Sequence, residues 1–426
     1  MYAHGLSLLG NAMRRLKIHY HSDCAFFAGC ENMLANMCFS PVIQAEFTIS
    51  FSYRDSALYR EGVRARMHGD VCLYPMAFPD PSSVLPAPVA LRSARRIIRL
   101  LSRVLFTGPL LVYEVARLAR LFRRLSPDLV HVNNGGYPAA LSPRAAALAA
   151  YVAGVPSIMV VNNLALGYDH PRRWFGYALD RLIAHSVGCF ITGSIAAAER
   201  LQRVLRLPAR RCRSIQSGAS MRSPSETVAE TRRRLGLEGF GGLLFAVVGV
   251  LEPRKGHHVL LEALHRVRLC QPESMQAIRV VLAGQGPLER SLRQQIADAG
   301  LEKHCFLIGQ ESNIANLFAV VDVLIAPSVG YEDFPNVILE AMGSGKAVIA
   351  SRVAGAVEQV VDRETGLLVT PGNSDELADA ICHLCNNRNL AGELGSNGLR
   401  RFQGLFTAER AVGRYLELYR SLMEAQ

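Results

Sequence analysis

No stretch of this chain is long and apolar enough to cross a bilayer. GGLLFAVVGVL (241–251), one of its longest apolar windows, falls well short of the roughly 20 residues a spanning helix needs. Asp-x-Asp is absent, which removes the simplest carboxylate clamp for a metal-bound nucleotide, and no metal site is expected. The beginning, MYAHGLSLLGNAMRRLK, carries its charges after the apolar run and has no small-residue cleavage site, so it does not read as a signal peptide. MRRLKIHYHS reads as the natural start, with residues 1–12 expected to be a disordered extension or an upstream start. The ten cysteines lack the dense, regular spacing of a disulfide scaffold or of paired zinc knuckles. The one close pair, Cys382 and Cys385, lies in the helical pattern ELADAICHLCNN and is expected to pack there. A reducing, cytoplasmic compartment fits.

Acidic residues are scarce in one half only. Residues 1–220 hold 26 Lys and Arg against 12 Asp and Glu, while residues 221–426 hold 21 against 24, so the net charge of +11 comes entirely from the first half. That half is expected to face something anionic. Nucleic acid fits poorly, because the arginines lack the interleaved aromatics used for base stacking.

From residue 239 onward, continuous Val/Ile/Leu runs alternate with helix-period segments: LLFAVVGVL, IRVVLAG, HCFLIG, DVLIAPS, KAVIAS and GLLVTPG. Such runs mean parallel strands buried on both faces, hence a doubly wound α/β domain. The first half repeats the theme in RLKIHYHS, FTISFSY, DLVHVNN, PSIMVVNN and GCFITGS. The polar passage 217–237 is the best linker. The expected organisation is two Rossmann-like domains facing across a cleft, 13–220 and 221–404, followed by a final helix at 405–426.

Residues 91–125 contain nine arginines and one acid. Arg92, Arg95, Arg96, Arg99 and Arg103 share one helical face, and Ile97, Ile98, Leu101, Val104 and Leu105 the other. Gly108-Pro109 is expected to break this into two helices. Either both cover the sheet with solvated arginines outward, or the first lies on anionic lipid, where each basic residue adds about 1 kcal/mol.

In an open α/β sheet, ligands bind beyond the carboxyl ends of the strands. In the second half those ends are Gly249, Gly284, Gly309, Ser328 and Ser351, and the glycines leave backbone amides free to approach phosphate. Lys255, six residues after Gly249, is positioned to reach a diphosphate. In YEDFPNVILEAMGSGKAVIAS (331–351), Asn336 is expected to cap a helix starting near Val337, with Pro335 stiffening the entry. A helix N-terminus of this kind favours a phosphate. Glu340, about one turn in, leans toward the cleft, and Glu332 sits in the loop before it. GSGK (343–346) is not a phosphate loop: Glu340 and Ala347 occupy positions where that motif needs Gly and Ser or Thr.

Together these residues resemble the retaining glycosyltransferases of family four, which have the GT-B fold. The resemblance is strong over roughly 240–425 and weaker in the first half, where FFAGCENM (26–33), with Gly29, looks like the family's glycine loop. It implies that Glu332 contacts the donor sugar, Glu340 the ribose and Lys255 the diphosphate, with the backbone of Phe334, Pro335, Asn336 and Val337 on sugar and phosphate. Gly29, Gly249 and Gly284 would also line the donor site. Two departures stand out. Val250 occupies the place of the arginine usually paired with the lysine, so the leaving diphosphate loses one cation unless Arg254 or Arg352 replaces it. Asn162-Asn163 stands where a histidine is often found on the acceptor side.

The activity implied is metal-independent transfer of a sugar from a nucleotide diphosphate to a hydroxyl, with retention at the anomeric carbon. No cofactor is needed beyond the nucleotide-diphosphate sugar. A lipid-linked or anionic glycan acceptor would suit the basic half, in bacterial surface polysaccharide or glycolipid assembly, on the inner face of the cytoplasmic membrane. The rival readings are a non-catalytic, membrane-docked partner that still binds a nucleotide sugar, and a GT-B sugar-nucleotide epimerase; the glutamate pair argues against the second.

Overall fold

In a computed structural model of the chain, the alternating runs assemble into two all-parallel sheets. The structure describes residues 15–24, 27, 29–85, 92–138, 140–169 and 171–424; the expected extension at 1–12 lies outside them. The first sheet has the order β3-β2-β1-β4-β5-β6-β7, from β1 (Leu16–Ser22), β2 (Phe47–Arg54), β3 (Val71–Met76), β4 (Leu129–Asn134), β5 (Ser157–Val161), β6 (Cys189–Thr192) and β7 (Cys212–Ser214). The second has the order β10-β9-β8-β11-β12-β13, from β8 (Leu243–Val248), β9 (Ile278–Ala283), β10 (Cys305–Gly309), β11 (Val323–Ala326), β12 (Ala347–Ser351) and β13 (Leu367–Val369). Both orders reverse direction once, between β1 and β4 and between β8 and β11.

Both sheets are buried on both faces; the second is almost wholly apolar, whereas β1 and β2 of the first also bury His19, His21, Ser22 and Ser52. Phe245, Val247, Val323 and Ile349 pack on one side of the second sheet, and Leu244, Ala246, Leu324 and Val348 on the other, as a period of two requires.

The chain passes between the domains twice, and the two crossings touch. Ala219 N–H donates to Phe406 O (2.9 Å) and Ala408 N–H to Ala219 O (3.1 Å). A Cβ on Gly218 would collide with the Thr407 carbonyl. The polar passage expected as linker is only partly so, since it contains a short helix, Val228–Arg234, closed by a Thr227/Glu230 capping box. After the second crossing, the closing helix Ala408–Glu424 buries Val412, Tyr415, Leu416 and Tyr419 in the core of the first domain.

One expectation fails outright. Arg92–Leu125 is a single helix with Pro109 inside it. A proline there costs about 3 kcal/mol, and the packing of the second half absorbs it: Leu118, Ala119 and Phe122 are buried against the first sheet. The first half packs one side on the Pro81–Ser83 turn, where buried Ser102 donates to Pro81 O at 2.6 Å, and leaves its apolar side open, with Ile97 60%, Leu101 51%, Val104 71% and Leu105 59% exposed.

Tyr419 is fully buried, and its hydroxyl lies 2.6 Å from His131 Nδ1 and 3.2 Å from Tyr20 Oη. Tyr419→Ala should cost the first domain about 3–5 kcal/mol and Tyr419→Phe about 1–3 kcal/mol. Urea unfolding checks this: an Ala variant with an unchanged midpoint would show that the helix does not anchor there.

Candidate active site

At the β8/β11 reversal the two strand ends hold a compact charged cluster. Gly249 donates its N–H to Ala283 O and Gly284 donates its own to Gly309 O, so these two amides are taken by the sheet and are not free for phosphate, contrary to expectation. A Cβ on Gly284, whose φ is +152°, would run into the Gly249 carbonyl, so this close approach needs glycine. Lys255 lies along Gly249, and its ammonium donates to Glu332 Oε1 at 2.5 Å. Arg254 Nη1 donates to the same oxygen at 2.6 Å, while its Nε reaches Glu252. Ser328 Oγ adds a third bond at 3.2 Å. Glu332 is thus a buried anion holding two cations. Val250 is exposed, and Arg352 is engaged by Asp362 (2.7 Å). Of the two arginines expected to stand beside Lys255, Arg254 does so and Arg352 does not.

The helix Asn336–Gly343 begins at this rim, with Pro335 at its N-cap and no side-chain cap. Asn336 does not cap it, contrary to expectation. Its Nδ2 instead donates across the cleft to Gly29 O at 3.0 Å, leaving the first-turn N–H groups of Asn336 and Val337 without intrahelical acceptors. Phe334 is buried and packs edge-on to Phe406. Glu340 faces a different space, a cavity of about 460 Å³ walled also by Asn36, Arg222 and Asn336. Burial pushes the Glu340 carboxyl up to about 7, with Arg222 pulling the other way.

The residue between these groups, Asp333, was not singled out from the sequence. It accepts from Gly193 N–H (2.7 Å) and Ser194 Oγ (2.6 Å), at the start of the first-domain helix Ile195–Leu205. Glu358 accepts from Ile195 N–H at 2.8 Å. Two carboxylates from the second domain therefore sit on one helix N-terminus of the first, where the dipole favours them. A Cβ on Gly193 would strike Phe334, and one on Gly355 the Asp333 carbonyl.

On the first-domain side, Asn162 Nδ2 donates to Asn133 Oδ1 (2.7 Å) and Asn134 O, while Asn163 Oδ1 is buried without a partner. Asn133 and Ser22 donate in turn to Glu31, a buried carboxylate one turn into the helix Gly29–Cys38. In the sequence Glu31 looks like an ordinary acid at a helix start. A second cavity, of about 640 Å³, opens beyond, lined by Arg103, Thr107, Arg144, Asp169, Arg173 and, from the second domain, Tyr331. Tyr331 is left-handed (φ +53°). Arg96, Arg99 and Arg103 are exposed; the side chains of Arg92 and Arg95 lie outside the described residues.

Two facing Rossmann-like domains closed by a returning helix are the GT-B architecture. The chain overlays HepE of Anabaena in complex with UDP with a TM-score of 0.73 at 21% identity, covering 95% of this chain and 100% of that one. Residues 56–218 match the glycosyl transferase 4-like domain and residues 236–401 the glycosyl transferases group 1. The chain belongs to the group 1 glycosyltransferases. It is 30% identical over 193 residues to the O-antigen chain mannosyltransferase C of Escherichia coli, across 44% of this chain and 49% of that protein. It is 34% identical over 169 residues to the phosphatidyl-myo-inositol mannosyltransferase of Mycobacterium leprae, across 38% and 43%. The matched part thus spans about half the length of these curated relatives.

Burial pushes the Asp333 carboxyl up to about 7 despite its hydrogen bonds, and Glu358 adds to the rise. With the folded value above the unfolded one, the stability Asp333 contributes is full below about pH 4 and is lost as pH rises through 7. Asp333→Asn keeps the shape and stays neutral. Between pH 5 and 8 the wild-type urea midpoint should fall relative to the Asn variant; parallel profiles would contradict this.

Proposed function

We propose that the protein transfers a sugar from a nucleotide-diphosphate sugar to a hydroxyl acceptor, with retention at the anomeric carbon and without a metal. The observation that carries this reading is the convergence of Lys255 and Arg254 on Glu332, beside Gly249 and Gly284 and next to an uncapped helix start. Fixed cations, with the free first-turn amides of the Asn336–Gly343 helix beside them, stabilise a leaving diphosphate, which is a good leaving group already, so no carboxylate nucleophile is required. Glu332 is the counter-ion that holds both cations in position and presents its carboxylate to the donor sugar. Glu340, facing its own cavity, takes the ribose hydroxyls. Gly29, joined to Asn336, brings the first domain's backbone to the donor, and Asn162 and Asn163 lie on the acceptor side.

The acceptor we infer is a lipid-linked or anionic glycan, in surface polysaccharide or glycolipid assembly. The arginines around the 640 Å³ cavity support it, as does the uncovered, arginine-flanked half of the Arg92–Leu125 helix. No helix among the described residues is long and apolar enough to cross a membrane. We therefore read this half-helix as a peripheral contact with an anionic membrane face.

Mass spectrometry of products from a panel of nucleotide sugars with a lipid-linked acceptor pool should reveal one transferred hexose; no turnover with any donor would favour a non-catalytic binder. Lys255→Ala should lower turnover roughly a hundredfold. Because Glu340 titrates near 7, donor affinity should rise with pH through neutrality in the wild type and stay flat in Glu340→Gln. Full activity in Lys255→Ala together with unaltered pH dependence in Glu340→Gln would break the assignment.

Liposome flotation tests the membrane contact. Charge reversal of Arg96, Arg99 and Arg103 to Glu should abolish binding to anionic vesicles, and unchanged binding would remove it.

A further inference from the structure

Across the 640 Å³ cavity from the long helix, the turn Pro171–Gly176 carries two aromatic side chains outward. Trp174 is 65% exposed and Phe175 95%. The turn beneath them is firmly held. Arg173 is buried and donates from Nη2 to Asp180 Oδ2 at 2.7 Å and from Nε to Leu166 O at 3.2 Å. Its guanidinium lies over the Tyr168 ring, which also supports Trp174 at 5.8 Å. Tyr137 and Tyr168 both donate to the same Asp180. A buried ion pair with this many bonds fixes the base of the turn, so the exposure of its tip is built in.

On the facing wall, Arg103 and Thr107 of the long helix line the cavity. Ile97, Leu100, Leu101 and Val104 form an exposed apolar stripe on the adjoining face. The two apolar features therefore flank one opening, and Arg96, Arg99 and Arg103 border the stripe with positive charge. Apolar tips ringed by arginines suit an anionic bilayer, where aromatic rings settle at the headgroup level. A second copy would set like charges against each other.

We propose that Trp174 and Phe175 form a second membrane-insertion point, so that the protein stands on anionic phospholipid at both sides of the cavity mouth. This rests on the membrane contact read above for the long helix and adds a separate residue pair to it. Bridged in this way, the cavity opens onto the lipid headgroups, and a lipid-linked acceptor reaches it from the bilayer.

The chain's single tryptophan is Trp174, so the tryptophan emission of the protein, excited selectively over its tyrosines, reports on this turn alone. Vesicles of phosphatidylglycerol and phosphatidylcholine should shift that emission to the blue, and acyl chains brominated near the headgroup should quench it; phosphatidylcholine alone should do neither. Phe175→Ser, which leaves the reporter in place, should weaken vesicle binding about tenfold. Unshifted, unquenched emission from protein that floats with the vesicles would overturn the second insertion point while leaving the helix contact standing. Absence of flotation would overturn both. A blue shift that grows with protein concentration in the absence of lipid would assign the surface to a second copy and overturn the proposal.

Discussion

A carboxylate from one domain bound to the start of a helix in the other holds the cleft in register. Asp333 binds Gly193 and the capping Ser194 just ahead of Ile195–Leu205, and its own backbone carbonyl accepts from Gly355 N–H at 2.7 Å. Its two neighbours in sequence are thereby fixed: Glu332 turns back to Lys255 and Arg254, while Phe334 packs toward Phe406. The ten residues from Tyr331 to Glu340 run from one cavity to the other, with the charged cluster between them. If Asp333 let go, these side chains would lose their common frame even though none of them touches it.

The charges follow a simple division. Glu332 is buried with two cations on one oxygen, so the cluster is already neutralised internally, as a buried charge must be. On the proposed function, a diphosphate entering there would compete with Glu332 for Lys255 and Arg254 and so loosen the link between Glu332 and its cations. Glu340 has no such partner among the described residues, and its raised pKa records that difference.

Much of this was legible in the sequence, for physical reasons. All six strands of the second sheet follow apolar runs read directly, because parallel strands buried on both faces leave an unbroken signal. Two strands of the first sheet escaped. β3 contains Pro75 and lies at an edge, where proline is tolerated but weakens the pattern, and β7 has three residues. Glu332, Glu340 and Lys255 were found by spacing and family likeness. Asp333 and Glu31 were not, since Ser194 lies 139 residues from the first and Asn133 102 from the second, and no local pattern encodes such distance. Asn336 was misjudged because a capping side chain looks the same in sequence as one that reaches across a cleft. The long helix was cut at Pro109 because local propensity ignores the packing beyond it.

The paired crossings at Ala219 and Phe406–Ala408 bear on how the halves can move. One connecting strand would act as a swivel, leaving the second domain free to rotate about it. Two strands bonded side by side, with Gly218 pressed against Thr407, resist twisting and yield more readily to bending across their common line. Joined along this line, the domains are hinged as a door is to its frame, so that any relative motion is a bend about the paired crossings and not a twist.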